Sequence, residues 1–185
     1  MKVYFTASIT YREKFDLIYR RIVAKLGQMG HEVNATHVLS HDIQDINRHS
    51  DSDRQKDYEE MMEWISEADM MVAEISFPST VTTGHVVTRA LEQGKPVLAL
   101  YRRGSVPPLL LGLEVERFRL SEYDEQDLEG VIADEVAELV KLPDQRFTML
   151  MPGDIMRHLD ELSRKDGNRS EYIRRLIRAD MEKKG

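Results

Sequence analysis

The 185-residue chain contains no cysteine. That excludes disulfides, zinc–thiolate centres and a cysteine nucleophile, and it fits a reducing cytoplasm. No apolar run approaches the ~18 residues that a membrane-spanning helix needs. Met1 leads straight into the strand-like KVYFTAS, with no basic-plus-apolar leader. A soluble, cytoplasmic protein without a membrane partner is therefore expected. Internal repeats and low-complexity tracts are also absent. What is present is a 41% apolar composition, enough for a real core, mixed with 32% charged residues.

The net charge of −7 argues against nucleic acid only as an average. Residues 142–185 hold 10 Lys/Arg and 8 Asp/Glu, a net of +2, whereas residues 1–141 carry a net of −9. An acidic body is joined to a mildly basic tail.

Strand and helix patterns alternate through the body. KVYFTAS is a buried strand. Tyr11 to Met29 has helical spacing, with Phe15, Ile18, Ile22 and Leu26 on one face and Gly30 as its C-cap. HEVNATHVL is a second strand, and the polar stretch Ser40 to Lys56 is a loop. A helix runs from Asp57 to Glu67, followed by the apolar strand ADMMVAEIS. A helix from about Thr83 to Gln93, the strand VLALY, a strand VERFRLS and a helix from Glu125 to Lys141 complete the body. The order predicts a doubly wound, parallel, five-stranded α/β sheet over residues 1–141. Ligands of such sheets sit beyond the carboxyl ends of the strands, here near Thr6–Thr10 and Ser76–His85.

After a short hinge at 142–145, residues 146–185 change character. One short strand, RFTMLMP, precedes two helical segments, GDIMRHLDELSRKDG and NRSEYIRRLIRADMEKK. The strand has no partner in its own unit, and about 40 residues bury too little surface to fold alone. A homodimer, or a higher homo-oligomer, is expected.

In the body, VYFTASI, IYRRIVAKL, DYEEMMEWISEADMMVAEISFPS and GKPVLALY together resemble the nucleoside 2-deoxyribosyltransferase family. The nearest branch is the 2′-deoxynucleoside 5′-phosphate N-hydrolases. The resemblance implies cleavage of the N-glycosidic bond of deoxynucleotides, without a cofactor, by a glutamate that attacks the anomeric carbon. It also implies an aspartate on the base side and a tyrosine that orients the glutamate. Tyr4 matches that tyrosine. Ser8 and Ser79 match phosphate-facing positions, and Gly84 matches the loop glycine. The aspartate position is Met61, three residues before Trp64, and the glutamate position is Val86. Neighbouring His85 and Val87 are not acids either, and Thr82 to Ala90 holds no carboxylate. The family's Gly-Gly is replaced by Tyr11 and Arg12. A valine cannot attack and a methionine cannot shuttle a proton.

Two readings of the remaining polar groups stay open. Asp57 lies one helical turn before Met61 on the same face, and His85 lies in the loop itself. They are a relocated acid with a nucleotide-binding partner, or a solvated aspartate and a loop histidine without a role. His37, His41, Asp42 and His49 are close in sequence, but their spacing fits no metal motif. No metal is expected.

The tail RFTMLMPGDIMRHLDELSRKDGNRSEYIRRLIRADME is similar to a ribbon-helix-helix DNA-binding unit. The resemblance implies that two chains pair their strands into a ribbon that enters the major groove. Strand alternation puts Phe147, Met149 and Met151 on the core side and Arg146, Thr148 and Leu150 on the base-reading side. Asn168 is an N-cap, and the amides of Arg169 and Ser170 then face a DNA phosphate. The sequence alone thus favours an operator-binding regulator with a non-catalytic, nucleotide- or nucleoside-sensing domain. The alternative is an N-glycosidase or deoxyribosyltransferase whose tail only dimerises it or tethers it to DNA.

Overall fold

A computed structural model describes residues 1–40, 44, 48–108, 110–113, 115–141, 149–166 and 169–184. The chain divides into two compact units, Met1–Arg146 and Phe147–Gly185.

In the first unit five strands form one parallel sheet: β1 (Lys2–Ala7), β2 (Glu32–Asn34), β3 (Met70–Glu74), β4 (Val97–Arg102) and β5 (Phe118–Tyr123). Their order is β2-β1-β3-β4-β5, and every neighbouring pair is parallel. Helices cover both faces. On one face, α1 (Arg12–Gln28) lays Phe15, Ile18, Tyr19, Ile22 and Leu26 against Phe5, Val72 and Leu98. The last helix of the unit, α5 (Leu128–Val140), adds Ile132 and Val136 to that core. On the other face, α3 (Asp51–Glu67) and α4 (Val81–Glu92) bury Met61, Ile65, Val86, Val87 and Ala90 against Tyr4, Met71 and Ala73. Burial on both faces explains why β3 is apolar up to Ala73 and β4 up to Leu100 rather than alternating. Each fully buried Leu or Val contributes about 1.5–3 kcal/mol.

Strand β5 and helix α5 begin three residues later than the sequence reading, and three other boundaries differ for a local reason. HEVNATHVL is a strand only over Glu32–Asn34. There the Asn34 side-chain oxygen accepts the Thr36 N–H at 3.1 Å, turning the chain into the short helix α2 (Thr36–Leu39). Helix α4 starts at Val81 because the Thr80 side chain caps it. The stretch read as a loop up to Lys56 is helical from Asp51. Ser50 accepts the Asp53 N–H, and the Asp53 carboxylate accepts the Ser50 N–H, which makes a capping box. Acids that look loop-like are favourable at a helix N-terminus. The longer α3 places Arg54 in its first turn rather than in a loop, and Asp57 and Tyr58 within the helix rather than at its start. Gly30 follows α1 with φ of 83°, a left-handed conformation suited to glycine.

In the second unit, α6 (Gly153–Asp166) and α7 (Arg169–Lys184) pack against each other. Asp160 and Arg169 join them by an ion pair of 2.6 Å. The expected strand lies partly outside the described residues, at Arg146, Phe147 and Thr148. Met149 and Leu150 form no strand within this chain. Ile155, Leu176, Ile177 and Met181 are exposed.

Candidate functional site

The chain reverses its winding direction between β1, which leads outward to β2, and β3, which leads to β4 on the other side. A crevice opens beyond the carboxyl ends of strands at such a point. A cavity of about 270 Å³ lies there. After β1 it is lined by Thr6, Ala7, Ile9 and Thr10, and after β3 by Thr80, Thr82 and Thr83. Helix α3 closes it with Arg54, Asp57, Tyr58 and Met61, and α2 contributes His37. The wall combines threonine hydroxyls with an apolar patch, one guanidinium and one carboxylate. That mixture suits a ligand with a flat ring, a polyol and an anionic group.

Asp57 is the only carboxylate on this wall among the described residues. Its Oδ2 lies 2.6 Å from His49 Nδ1, just before the α3 cap. With the proton at Nδ1, His49 donates to one carboxylate oxygen and leaves the other for a ligand. Asp57 is therefore a half-buried, paired side chain about two turns inside a helix rather than at its start. Arg54 is anchored beside it through Nε to the His49 carbonyl at 3.2 Å.

The other residues singled out from the sequence take different positions. Tyr4 is fully buried beside Trp64, with ring centroids 6.2 Å apart, and among the described residues its hydroxyl has no hydrogen-bond partner. Burial pushes that phenol well above its ordinary pKa. Ser8 is also buried, its hydroxyl without a partner among the described residues, while its carbonyl accepts the Tyr19 hydroxyl at 3.1 Å. Ser79 is exposed and does not line the cavity. Gly84 is not in a loop but in the first turn of α4, and His85 follows it on the exposed side. His85 stacks on Tyr58 at a centroid distance of 6.0 Å, with Nε2 3.5 Å from the Tyr58 hydroxyl. Val86 and Met61 are core residues, packed in the same apolar cluster. No acid replaces them in place.

His37 lines the cavity and His49 pairs with Asp57, while His41 and Asp42 lie outside the described residues. Among the described residues no cluster of metal-ligating side chains forms. Of the expected DNA-facing residues, Arg146, Thr148 and Asn168 lie outside the described residues. Leu150 is fully exposed, Arg169 is held by Asp160, and Ser170 lies in the first turn of α7.

Sequence reasoning missed the threonine row at Thr80, Thr82 and Thr83, the cation Arg54 and the His49–Asp57 pair. The threonines were legible as a cluster at a strand-to-helix turn. The pair was not, because the loop reading hid the geometry of the α3 start.

No family profile matches the chain. Individual relatives do. The chain is 30% identical over 134 residues to the 5-hydroxymethyl-dUMP N-hydrolase of Rattus norvegicus, covering 70% of this chain and 81% of the relative. It is 31% identical over 135 residues to a putative 2′-deoxynucleoside 5′-phosphate N-hydrolase 1 of Nematostella vectensis, covering 71% and 90%. A protein of the same description from Thermofilum pendens is 31% identical over 130 residues, covering 69% and 88%. Among solved structures, a CMP N-glycosidase of Clostridium botulinum superposes with a TM-score of 0.51 at 16% identity. That match covers 74% of this chain and 99% of the other, a likeness of fold.

Proposed function

Since the chain belongs to the 2′-deoxynucleoside 5′-phosphate N-hydrolase family, we propose that its first unit binds a nucleotide in the β1/β3 cavity and hydrolyses its N-glycosidic bond with Asp57. The observation that carries this reading is the position of Asp57, a carboxylate on the cavity wall with one oxygen fixed by His49. Met61 and Val86 stand where the resemblance matches the family's two acids, so in this reading the chemistry falls to the acid on the cavity wall. In this reading the Asp57 carboxylate takes a proton from a water as the water oxygen bonds to C1′. The C1′–N bond breaks and its electron pair leaves with the base, which is protonated from solvent. The negative carboxylate also stabilises the positive charge that builds on the sugar in the transition state. A positioned general base contributes typically 10²–10⁴-fold.

The chemistry of the wall supports a nucleotide as ligand. Threonine hydroxyls suit the sugar and phosphate oxygens, Arg54 suits the phosphate, and Met61 and Tyr58 offer an apolar surface to the base. The test is the rate of base release for Asp57→Asn and His49→Ala against wild type. Asp57→Asn should lower the rate about 10²-fold or more, and His49→Ala should lower it less, because it removes only the anchor. Equal rates for Asp57→Asn and wild type refute Asp57 as the reacting group.

A second reading concerns the C-terminal unit and is favoured by its exposed apolar residues. Ile155, Leu176, Ile177 and Met181 lie on two helices of a unit too small to bury them alone. A second chain would cover them and supply the missing strand partner, giving the dimeric ribbon that the sequence resembles. That ribbon would bring DNA as a partner through Arg146 and Thr148. Loss of specific duplex binding on changing both to Ala, with the dimer intact by light scattering, is the expected outcome. Unchanged binding rejects the assigned face.

A further inference from the structure

On the sheet face away from α3 and α4 lies a carboxylate that the cleavage chemistry does not use. Glu74 is the last residue of β3 and is buried. Its Oε1 accepts the Tyr123 hydroxyl of β5 at 3.0 Å and also accepts the Ser76 hydroxyl. The Ser76 oxygen in turn accepts the Arg102 N–H of β4 at 2.8 Å. One carboxylate oxygen thus gathers the carboxyl ends of β3, β4 and β5.

The chain beyond Glu74 is the loop that builds one wall of the cavity. Its path is fixed by the Ile75 N–H on the Leu100 carbonyl and the Phe77 N–H on the Ser105 carbonyl, both at 2.8 Å. Three residues further, Thr80 caps α4 and begins the threonine wall. Within this path, Ser76 is the one side chain that bonds both β3 and β4. Its hydroxyl hydrogen is committed to Glu74 and its oxygen to Arg102, so it has one orientation only. A carboxylate is costly to bury, and an apolar residue would pack there without that cost.

We propose that Glu74 is a positioning residue, which through Ser76 fixes the loop carrying the threonine wall and so sets the cavity's affinity for a nucleotide. The affinity part rests on the reading of the cavity as a nucleotide site. The groups that face Glu74 are Tyr19 from α1, Tyr123 from β5 and Arg102 from β4, whose guanidinium is held by Glu125 at 2.8 Å. Without Glu74, the buried Tyr123 and Ser76 hydroxyls both lose their acceptor.

The test combines amide hydrogen exchange of the ligand-free, full-length protein with binding of dAMP, dCMP, dGMP and dTMP. Glu74→Ala should speed exchange of the Arg102 and Phe77 amides about tenfold, leave Val72 and Leu98 unchanged, and weaken nucleotide binding about tenfold. Glu74→Gln keeps an acceptor oxygen for both hydroxyls and should restore exchange and binding. A merely structural role would instead show as uniform acceleration across the sheet. Unchanged exchange at Arg102 and Phe77 in Glu74→Ala overturns the proposal, as does failure of Glu74→Gln to rescue it. If Glu74→Ala does not fold, Ser76→Ala removes the relay alone, and the same local acceleration is required of it. Local acceleration in a protein that binds none of the four nucleotides upholds the Glu74 tie and rejects the nucleotide site instead.

Discussion

The Tyr4 hydroxyl offers a sharp test of how the first unit divides stability from function. It is fully buried and has no hydrogen-bond partner among the described residues. An unsatisfied buried hydroxyl costs about 1–3 kcal/mol. Tyr4→Phe removes that cost and leaves an oxygen-sized void. At ~24 cal/mol per Å³ and roughly 10–15 Å³, the void costs about 0.3 kcal/mol. The net expectation is a ligand-free variant about 1–2 kcal/mol more stable than wild type, or roughly 3–6 °C in Tm for a unit of this size. If the hydroxyl is kept unpaired in order to serve a bound nucleotide, the ligand-bound variant should show the opposite sign. It should lose one hydrogen bond and about 2–10-fold in affinity. Urea titrations with and without a saturating deoxynucleotide measure both quantities. A ligand-free Tyr4→Phe less stable than wild type by 1 kcal/mol or more would refute the reasoning, because it would mean that the hydroxyl is bonded in the folded state.

Burial holds the Glu74 carboxyl above the usual range, against its bonds to Ser76 and Tyr123. The folded state then keeps a proton that the unfolded chain has released, so this contribution is fully present below the ordinary glutamate pKa and is lost as pH rises through the raised one. Glu74→Gln should flatten that decline in denaturant melts taken from mildly acidic to neutral pH; an unchanged slope would count against a raised pKa. Ser50→Ala removes one half of the capping box of α3 and should cost about 1 kcal/mol in the midpoint of unfolding. A cost near zero would mean that Asp53 alone holds the helix start.

The apolar runs of β1, β3 and β4 made a doubly wound parallel sheet legible, since only strands buried on both faces have such runs. The short edge strand β2 was overextended because Ala35 to Leu39 is apolar enough for a strand, while a single hydrogen bond from Thr36 to Asn34 turns it into a helix. The α3 start was hidden because Asp51, Ser52 and Asp53 have loop composition but capping geometry. In the site, the match of Met61 and Val86 to the family's acid positions rests on residue identity alone. The His49–Asp57 pair could not, because it depends on where the helix begins. Glu74 gave no signal at all: it looks like one more residue of a buried strand, and its partner Tyr123 lies 49 residues further along.

We propose that the cavity between β1 and β3 cleaves an N-glycosidic bond with Asp57, where the resemblance matches Met61 and Val86 to the family's acids. The most direct measurement is free base released from a panel of deoxynucleoside and nucleoside 5′-monophosphates by the full-length protein, followed by chromatography. Release of base with the matching sugar phosphate, lost in Asp57→Asn, is the expected result. No release from any of them, with nucleotide binding still detected by thermal shift, would contradict the claim and leave a nucleotide-binding domain that has lost its chemistry.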